Sequence, residues 1–490
     1  MRGKMDTLSI ITIIAFVLNI LLAIAMVISE QKSVQSVLAW LSVLVFLPLV
    51  GFILYIMFGN GLGIRTRRML KRTNMINIGN RKELEAIIKE HKYEFDEKTS
   101  KLVQKYDELI TFNYNWANSV LTENNSIQFF ADGSKQFEAL KKDISLAKNH
   151  IHLDYYILAH DKFGKEIINL CTQKLKQGVS VKIIIDSLGS LKTRRRHFKK
   201  FINAGGEFRE FFPPILPFKM LNFKMNYRNH RKIAIIDGKI GYVGGVNVRA
   251  DHLGCDKKLT PWRDAHIRLE GLSVLALQST FLSDWRFSTN DKKYPIKYLK
   301  KDYFPEPNLD GKCPVQIIAS GPSNNKAEIK NALVKMINMA KKSIKIQTPY
   351  FVPDQVYLDS LKLAIASGIE VKLMIPKIPD KKLVYNASLS YVRELVELGA
   401  KVYLYKGFLH AKTMVIDDEI CTIGTCNSDN RSFYLNFEIN AFIYNEEFTQ
   451  TVLKSIENDI KNSVEFKKGV TIPRFRRFKM ALSRLFTPLL

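Results

Sequence analysis

The sequence predicts an α/β protein of two pseudo-symmetric lobes, each a mixed sheet flanked by helices, preceded by a two-helix transmembrane hairpin. Three observations carry that prediction. Two uncharged apolar runs stand in tandem at the start of the chain, one order of strand-like and helix-like segments occurs twice after them, and each repeat ends in the same spacing of histidine, lysine and aspartate. The organisation read from these is a hairpin at 1–60, a basic helical linker at 61–130, a first lobe at 131–289, a link at 290–312, a second lobe at 313–465 and a basic amphipathic tail at 466–490.

The hairpin comes first. Thr7 to Ile28 is an apolar run of spanning length without a charge, and Val37 to Phe58 is another, interrupted by Pro48 and Gly51. A cleaved leader has one shorter apolar core, so two long runs in tandem read as a membrane hairpin rather than a signal peptide. Arg2 and Lys4 precede the first run, and Arg65, Arg67, Arg68, Lys71 and Arg72 follow the second. Basic flanks mark the cytoplasmic side, which places both ends, and the rest of the chain, at the inner leaflet of the cell membrane.

Composition narrows the partners. The 490 residues carry a formal net charge of +27, which suits an anionic partner, either nucleic acid or anionic lipid. The 5 cysteines are odd in number and follow no C-x-x-C spacing, which excludes a disulfide framework or a zinc knuckle and suits a reducing compartment.

The two lobes correspond step for step. Asn149 to Leu158 alternates like a strand, Gly164 to Gly178 has a helical pattern, and Val179 to Asp186 reads as a buried strand. Lys342 to Val352, Asp354 to Gly368 and Ile369 to Pro376 repeat that order. Each copy continues through a further helix and a Gly-containing turn, Ile202 to Phe208 in one and Glu397 to Tyr405 in the other. Strands alternating with helices imply a largely parallel sheet covered by helices in each half.

Each lobe then delivers H-x-K-x4-D, as HRKIAIID from His230 to Asp237 and as HAKTMVID from His410 to Asp417. Residues two apart on a strand share a face, so His230 projects with Lys232 and His410 with Lys412. The aspartates open turns between β-rich runs, where Asp-Gly is a strong hairpin signal, so turn and network roles for Asp237 and Asp417 stand beside chemical ones. Gly244 and Asn247 follow the first copy and Gly424 and Asn427 the second, at matching offsets. One match has odds of roughly one in eight thousand per position. Two matches in equivalent places of a repeat are not chance.

These spacings resemble the phospholipase D superfamily, whose signature is H-x-K-x4-D followed by G-[GST]-x-N, and within it the bacterial cardiolipin synthases. The resemblance covers nearly the whole chain: YIMFG at 55–59, HLDYYI, GVSVKIIIDSLGS, NHRKIAIIDGKIGYVGGVN, WRDAHIRLEG, ASGPS, TPYFVPD and LHAKTMVIDDEICTIGTCNSDNRSFYLNFEIN. One departure is Gly245, where the superfamily often has Ser; the second copy has Thr425.

The resemblance implies a shared site for one phosphodiester. Lys232, Lys412, Asn247 and Asn427 would neutralise its non-bridging oxygens, with a hydroxyl contact from Thr425. One histidine would attack phosphorus while the other protonates the leaving alcohol and deprotonates the incoming one, which is why the motif must occur twice. His230 is assigned as nucleophile and His410 as acid and base, with Asp237 and Asp417 completing the catalytic set. Downstream acids would orient the rings, Asp264 for His230 and Glu438 for His410. One phosphatidylglycerol would form a phosphatidyl-histidine and release glycerol, and a second would take up the phosphatidyl group to give cardiolipin. One phosphodiester is broken for each made, so no cofactor is expected, and no metal cluster or nucleotide loop is found. The remaining histidines, His91, His150, His152, His160, His197, His252 and His266, read as scattered surface or strand residues.

Two further features bear on the partner. Thr193 to Phe201 is strongly basic, fitting either a solvated helix face or contact with anionic headgroups. In the tail, Phe475, Phe478, Leu482, Leu485, Phe486 and Leu489 recur at steps of three and four among Arg and Lys, the pattern of a helix lying in an anionic membrane surface or docking on the protein itself. Phe211 to Phe218, apolar and Pro-rich, fits a lipid-facing loop or a rigid core connection. The expected partners are therefore phosphatidylglycerol and the anionic membrane surface, with no nucleic acid. The alternatives within the superfamily are a hydrolytic phospholipase D and a membrane-tethered nuclease.

Overall fold

The computed structural model describes residues 7–28, 34–55, 97–213, 226–289, 303–322, 326–470, 473–485 and 487. The basic cluster from Arg65 to Arg72, most of the link between lobes, Pro214 to Phe218, Phe486 and Leu489 lie outside them.

The first apolar run is helical over Thr7–Ile28. The second is not one helix but two, Val34–Phe46 and Pro48–Leu54, with Leu47 at φ −134° and Pro48 opening the second piece. Proline disfavours helical backbone in the residue before it and has no N–H to continue the ladder, so the break falls there. Asn19 donates to the Leu44 carbonyl at 3.3 Å, and the Trp40 and Tyr55 rings meet edge to face at 5.3 Å, which pairs the helices. Ile14, Phe16, Leu21, Leu38 and Phe46 stay exposed. Counting only residues whose side chains are described, no helix is long and apolar enough to cross a membrane.

The body of the protein is built on one 16-stranded sheet with an internal mirror. From its first edge the order is Glu207–Phe211, Ser180–Asp186, His150–Tyr155, Lys232–Ile236, Ile240–Gly244, His266–Gly271 and Thr122–Phe130. From the other side, inside Ser463–Glu465, it is Lys401–Tyr405, Glu370–Pro376, Ser343–Gln347, Thr413–Ile416, Ile420–Gly424, Asn436–Ile443 and Cys313–Ser320. The halves join where Thr122–Phe130 runs antiparallel to Cys313–Ser320. The outer three strands of each set of seven are parallel and the remaining pairings antiparallel. The sheet is mixed, as the predicted fold class has it, and the largely parallel reading of the strand–helix alternation holds only for these outer strands. Helical crossovers link the three parallel strands of each lobe, and the motif hairpin beside them is antiparallel.

Three cores hold this sheet. Ile151, Leu153, Ile167 and Ile183 centre the first lobe, and Ile329, Leu333, Ile346 and Leu373 the second. The third core draws Ile233, Val243, Ile267 and Phe281 together with Val415, Ile423, Ile439 and Ile443, so the lobes share one apolar interior. Each such side chain contributes about 1.5–3 kcal/mol by leaving water. That shared core fixes the seam on which the site stands. Residues ahead of the first lobe also close on the second: Tyr106, Leu109 and Ile110 join its core, and Asn113 donates to Gln316 at 3.1 Å.

Candidate active site

Each motif enters its sheet by way of the opposite lobe. Arg228–Asn229 runs parallel to Asn436–Phe437, and the His230 N–H donates to the Phe437 carbonyl at 2.9 Å. In the mirror position Phe408–Leu409 runs parallel to Trp262–Arg263, and the His410 N–H donates to the Arg263 carbonyl at 2.6 Å. The residue after each acceptor is an acid. His230 Nδ1 therefore meets Glu438 Oε2 at 2.9 Å, and His410 Nδ1 meets Asp264 Oδ2 at 2.8 Å. The resemblance had implied the opposite pairing, Asp264 with His230 and Glu438 with His410. The correction follows from these short parallel ladders, which carry each acid across the seam to the other lobe's ring.

Both imidazoles are buried, as are both lysines. Lys232 Nζ donates to its own motif's His230 carbonyl at 2.6 Å, and Lys412 Nζ to that of His410. Burial lowers Lys232 to about 8 and Lys412 to about 7, and the Lys232 charge adds to the depression of Lys412. Burial likewise brings His230 to about 4, with Lys232 and Lys412 both pushing the same way against Glu438. His410 is held well below its ordinary value by burial and Lys412. Burial alone would raise the two carboxyls. His410, His252 and Lys412 instead hold Asp264 well below the usual carboxylate range, and His230, Lys232 and Thr425 hold Glu438 down. The lysines of the two lobes thus act on each other and on one ring, a cationic compartment that an anion would relieve.

The other predicted residues divide. Asn247 is buried, with its Oδ1 accepting from the Ile157 N–H at 3.1 Å and its Nδ2 3.1 Å from His252 Nε2. Asn427 is buried too, and its Oδ1 has no hydrogen-bond partner among the described residues. Thr425 does not offer its hydroxyl proton to a ligand: Oγ1 donates to Glu438 Oε2 at 2.5 Å and accepts from the Ile439 N–H at 2.9 Å. Its reading as a phosphate contact is corrected to that of a brace for the carboxylate. Gly245 occupies the matching place in the first lobe, where a Cβ would lie 1.9 Å from Asp264 Oδ1. The shorter acid fills the space of the missing side chain.

Asp237 and Asp417 stand at the far ends of their strands, at φ 55° and 54° in the turns. Asp237 accepts from the backbone N–H groups of Lys148, Asn149 and His150, and Asp417 from those of Lys341, Lys342 and Ser343. Their place in the catalytic set is corrected. They tie the motif hairpin to the start of the neighbouring strand, about the length of a strand away from the histidines.

Sequence reasoning missed His252. It is buried, 3.6 Å from Asp264 Oδ2 by its Nδ1, and its ring lies 4.2 Å from Trp262 and 4.8 Å from His410. Its signal was proximity alone, five residues past Asn247 in the same loop. His252, Asp264 and His410 form a group whose ligand-type atoms lie within 4.8 Å of one another. His150 and His152 are buried against Gln278, His266 beneath Tyr242, and His160 stacks on His197 at 3.7 Å; His91 lies outside the described residues. The sequence also hid Arg231, which reaches the Glu438 carbonyl at 3.1 Å and the Ser320 carbonyl at 3.0 Å while pairing with Asp284.

Comparisons with known proteins bear on the family and the fold. A family profile described as "Cardiolipin synthase, PLD-like domain" matches residues 140–258 and 333–460, and one described as "Phospholipase D-nuclease N-terminal" matches 17–60. The chain is 42% identical to the major cardiolipin synthase of Bacillus subtilis (strain 168), over 99% of this chain and 100% of that one. It is 41% identical, with the same coverage, to the cardiolipin synthase of Listeria monocytogenes serotype 4b (strain CLIP80459). Among solved structures, the phosphatidylserine synthase of Haemophilus influenzae Rd KW20 shares the fold, with a TM-score of 0.59 at 15% identity, covering 78% of this chain and 100% of that one.

Proposed function

This chain belongs to the phospholipase D-like cardiolipin synthase family, and we propose that it joins two phosphatidylglycerols into cardiolipin at the single site on the seam between its lobes. The observation that carries this reading is the crossed pairing of His230 with Glu438 and His410 with Asp264. Two imidazoles, each held by an acid of the opposite lobe, supply the two proton and bond-making roles that a phosphodiester exchange needs.

In the first half-reaction His230 attacks phosphorus, a P–N bond forms, the P–O bond to glycerol breaks, and His410 gives its proton to the departing oxygen. In the second, neutral His410 takes the proton from the hydroxyl of another phosphatidylglycerol, whose oxygen attacks phosphorus as the P–N bond breaks. The entering lipid restores His410 to its starting state, and no nucleotide is consumed. Lys232, Lys412, Asn247 and Asn427 hold the non-bridging oxygens. The bound phosphodiester offsets the two lysine charges and raises the imidazole values, which brings His410 towards the protonated state that the first step requires.

The lipid partner is supported by features outside the site. The chain carries a net charge of +27 and an apolar helix over Thr7–Ile28. The reading places two spans in the cell membrane, the lobes on the cytoplasmic side, and the tail helix on the anionic surface. Purified protein in phosphatidylglycerol vesicles tests the reaction: cardiolipin and glycerol in equal amounts are expected. Phosphatidic acid as the main product would overturn it in favour of hydrolysis.

A further inference from the structure

The two half-sites are not equivalent, and the difference lies at His252. Five residues beyond Asn427 the second lobe has Ser432, whose N–H donates to Asp429 at 2.6 Å in a short helix cap. Five residues beyond Asn247 the first lobe has an imidazole, buried between Trp262 and His410. Asn247 Oδ1 is committed to the Ile157 N–H at 3.1 Å, which leaves its NH2 group facing His252 Nε2 at 3.1 Å. The Asn247 backbone N–H also lies 3.3 Å from His252 Nδ1, so both ring nitrogens face Asn247. Nδ1 also lies 3.6 Å from Asp264 Oδ2, the oxygen that His410 Nδ1 meets at 2.8 Å. Burial favours the neutral ring.

We propose that His252 is a positioning residue of the active site, which links the carboxylate holding His410 to the Asn247 amide and so fixes a phosphate donor and an acid–base group as one unit. Resting on the proposed role of Asn247 at the phosphate, this deepens that reading. Trp262 Nε1, 3.4 Å from the same Asp264 oxygen, closes the array. Among the described residues the Asn427 Oδ1 has no such partner. The consequence is directional: loss of His252 disturbs the Asn247 and His410 side while leaving the His230–Glu438 pair in place.

The test is a double-mutant cycle on the full chain in phosphatidylglycerol vesicles, read by glycerol release, a step common to transfer and hydrolysis. His252→Ala is expected to lower kcat by about 10–100-fold with little change in KM, the range found for groups that orient a reacting residue. His252→Gln, whose amide can accept from Asn247 and donate to Asp264, is expected to recover activity to within about fivefold. In the background of Asn247→Ala, removal of His252 is expected to add little, because the two act as one. Equal loss in Gln and Ala variants of unchanged thermal stability, or full additivity with Asn247→Ala, would overturn the proposal. So would activity that a chelator abolishes and zinc or manganese restores, since His252 would then be a ligand. Products of the wild type separately decide between transfer and hydrolysis.

Discussion

His230 Nδ1 lies 2.9 Å from the carboxylate of Glu438, 208 residues away in the chain and in the other lobe. The acid that meets the first lobe's motif histidine is therefore supplied by the second lobe. The same dependence holds for His410 on Asp264, at a separation of 146 residues. Neither lobe alone holds both a motif histidine and its acid partner, and the shared apolar core joins the two lobes as well.

Removal of the orienting charge should affect the two half-reactions differently. Glu438→Gln leaves a group of the same size beside His230 but withdraws the anion that stabilises its cationic, phosphorylated form. Loss of a comparable carboxylate in a histidine–acid pair drops turnover by about 10⁴, so a fall of 10² to 10⁴ in the rate of phosphohistidine formation is expected. Asp264→Asn should instead slow protonation of the leaving alcohol, and a substrate with a good leaving group should mask much of that loss. Rapid-quench detection of the covalent intermediate separates the two. Both variants failing equally with the activated substrate would contradict the assigned roles.

The aspartates of the motif should behave as stability residues. Asp237→Ala withdraws an acceptor from the N–H groups of Lys148, Asn149 and His150. At a net worth of about 0.5–1.5 kcal/mol per hydrogen bond, the variant should lose roughly 2 kcal/mol and melt several degrees lower. Its folded fraction should keep most of its turnover. A loss of more than 10²-fold at unchanged melting temperature would restore a chemical role.

Much of this site was legible in the sequence, and the boundary of legibility has a physical cause. The doubled H-x-K-x4-D spacing identified both histidines and lysines, because residues two apart on a strand share a face whatever the fold around them. Asp264 and Glu438 were identified by resemblance, but their partners were exchanged, since pairing across a seam depends on ladders of two residues that leave no periodic trace. Thr425 was misread because nothing local reveals whether a hydroxyl points at a ligand or at the Glu438 carboxylate. His252 was missed for a related reason: a lone histidine in a loop carries no pattern until the fold brings Asp264 and Asn247 to it.

Anion binding should carry a pH signature from the lysines. With Lys232 lowered to about 8 and Lys412 to about 7, the empty folded protein binds fewer protons than the unfolded chain above those values. The pair therefore destabilises the empty fold most at and below neutrality, and that penalty is relieved as pH rises from about 7 towards the ordinary lysine value of about 10.4. A bound phosphodiester favours the charged lysines and must take up protons wherever they are neutral. Its affinity should thus weaken as pH rises from 7 to 9, by up to about tenfold per unit for each proton taken up. Calorimetry in buffers of different ionisation enthalpy measures the uptake directly. Proton release, or none at pH 8.5, would contradict the lysine values.

The tail helix Arg474–Leu485 docks on the protein by one face and leaves an apolar stripe exposed on another. Met480 is buried at 3% exposure, Arg484 pairs with Glu394 at 2.9 Å and lies 4.2 Å from the Tyr391 ring, and Thr487 meets the Tyr391 hydroxyl at 3.3 Å. Phe475, Phe478, Leu482 and Leu485, at steps of three and four, remain 69%, 63%, 41% and 72% exposed. Among Arg474, Arg476, Arg477 and Lys479, with no acid in the helix, that stripe fits the boundary of an anionic bilayer, where each buried apolar side chain contributes about 1.5–3 kcal/mol. Replacing Phe475, Phe478 and Leu485 together by Ser should lower activity on phosphatidylglycerol vesicles about tenfold or more, yet leave turnover of a short-chain soluble substrate near the wild-type rate. Arg484→Ala should do the reverse, lowering the melting temperature with a smaller effect on vesicles relative to the soluble substrate. If the serine variant lost both activities in parallel, the stripe would be serving the fold rather than the lipid.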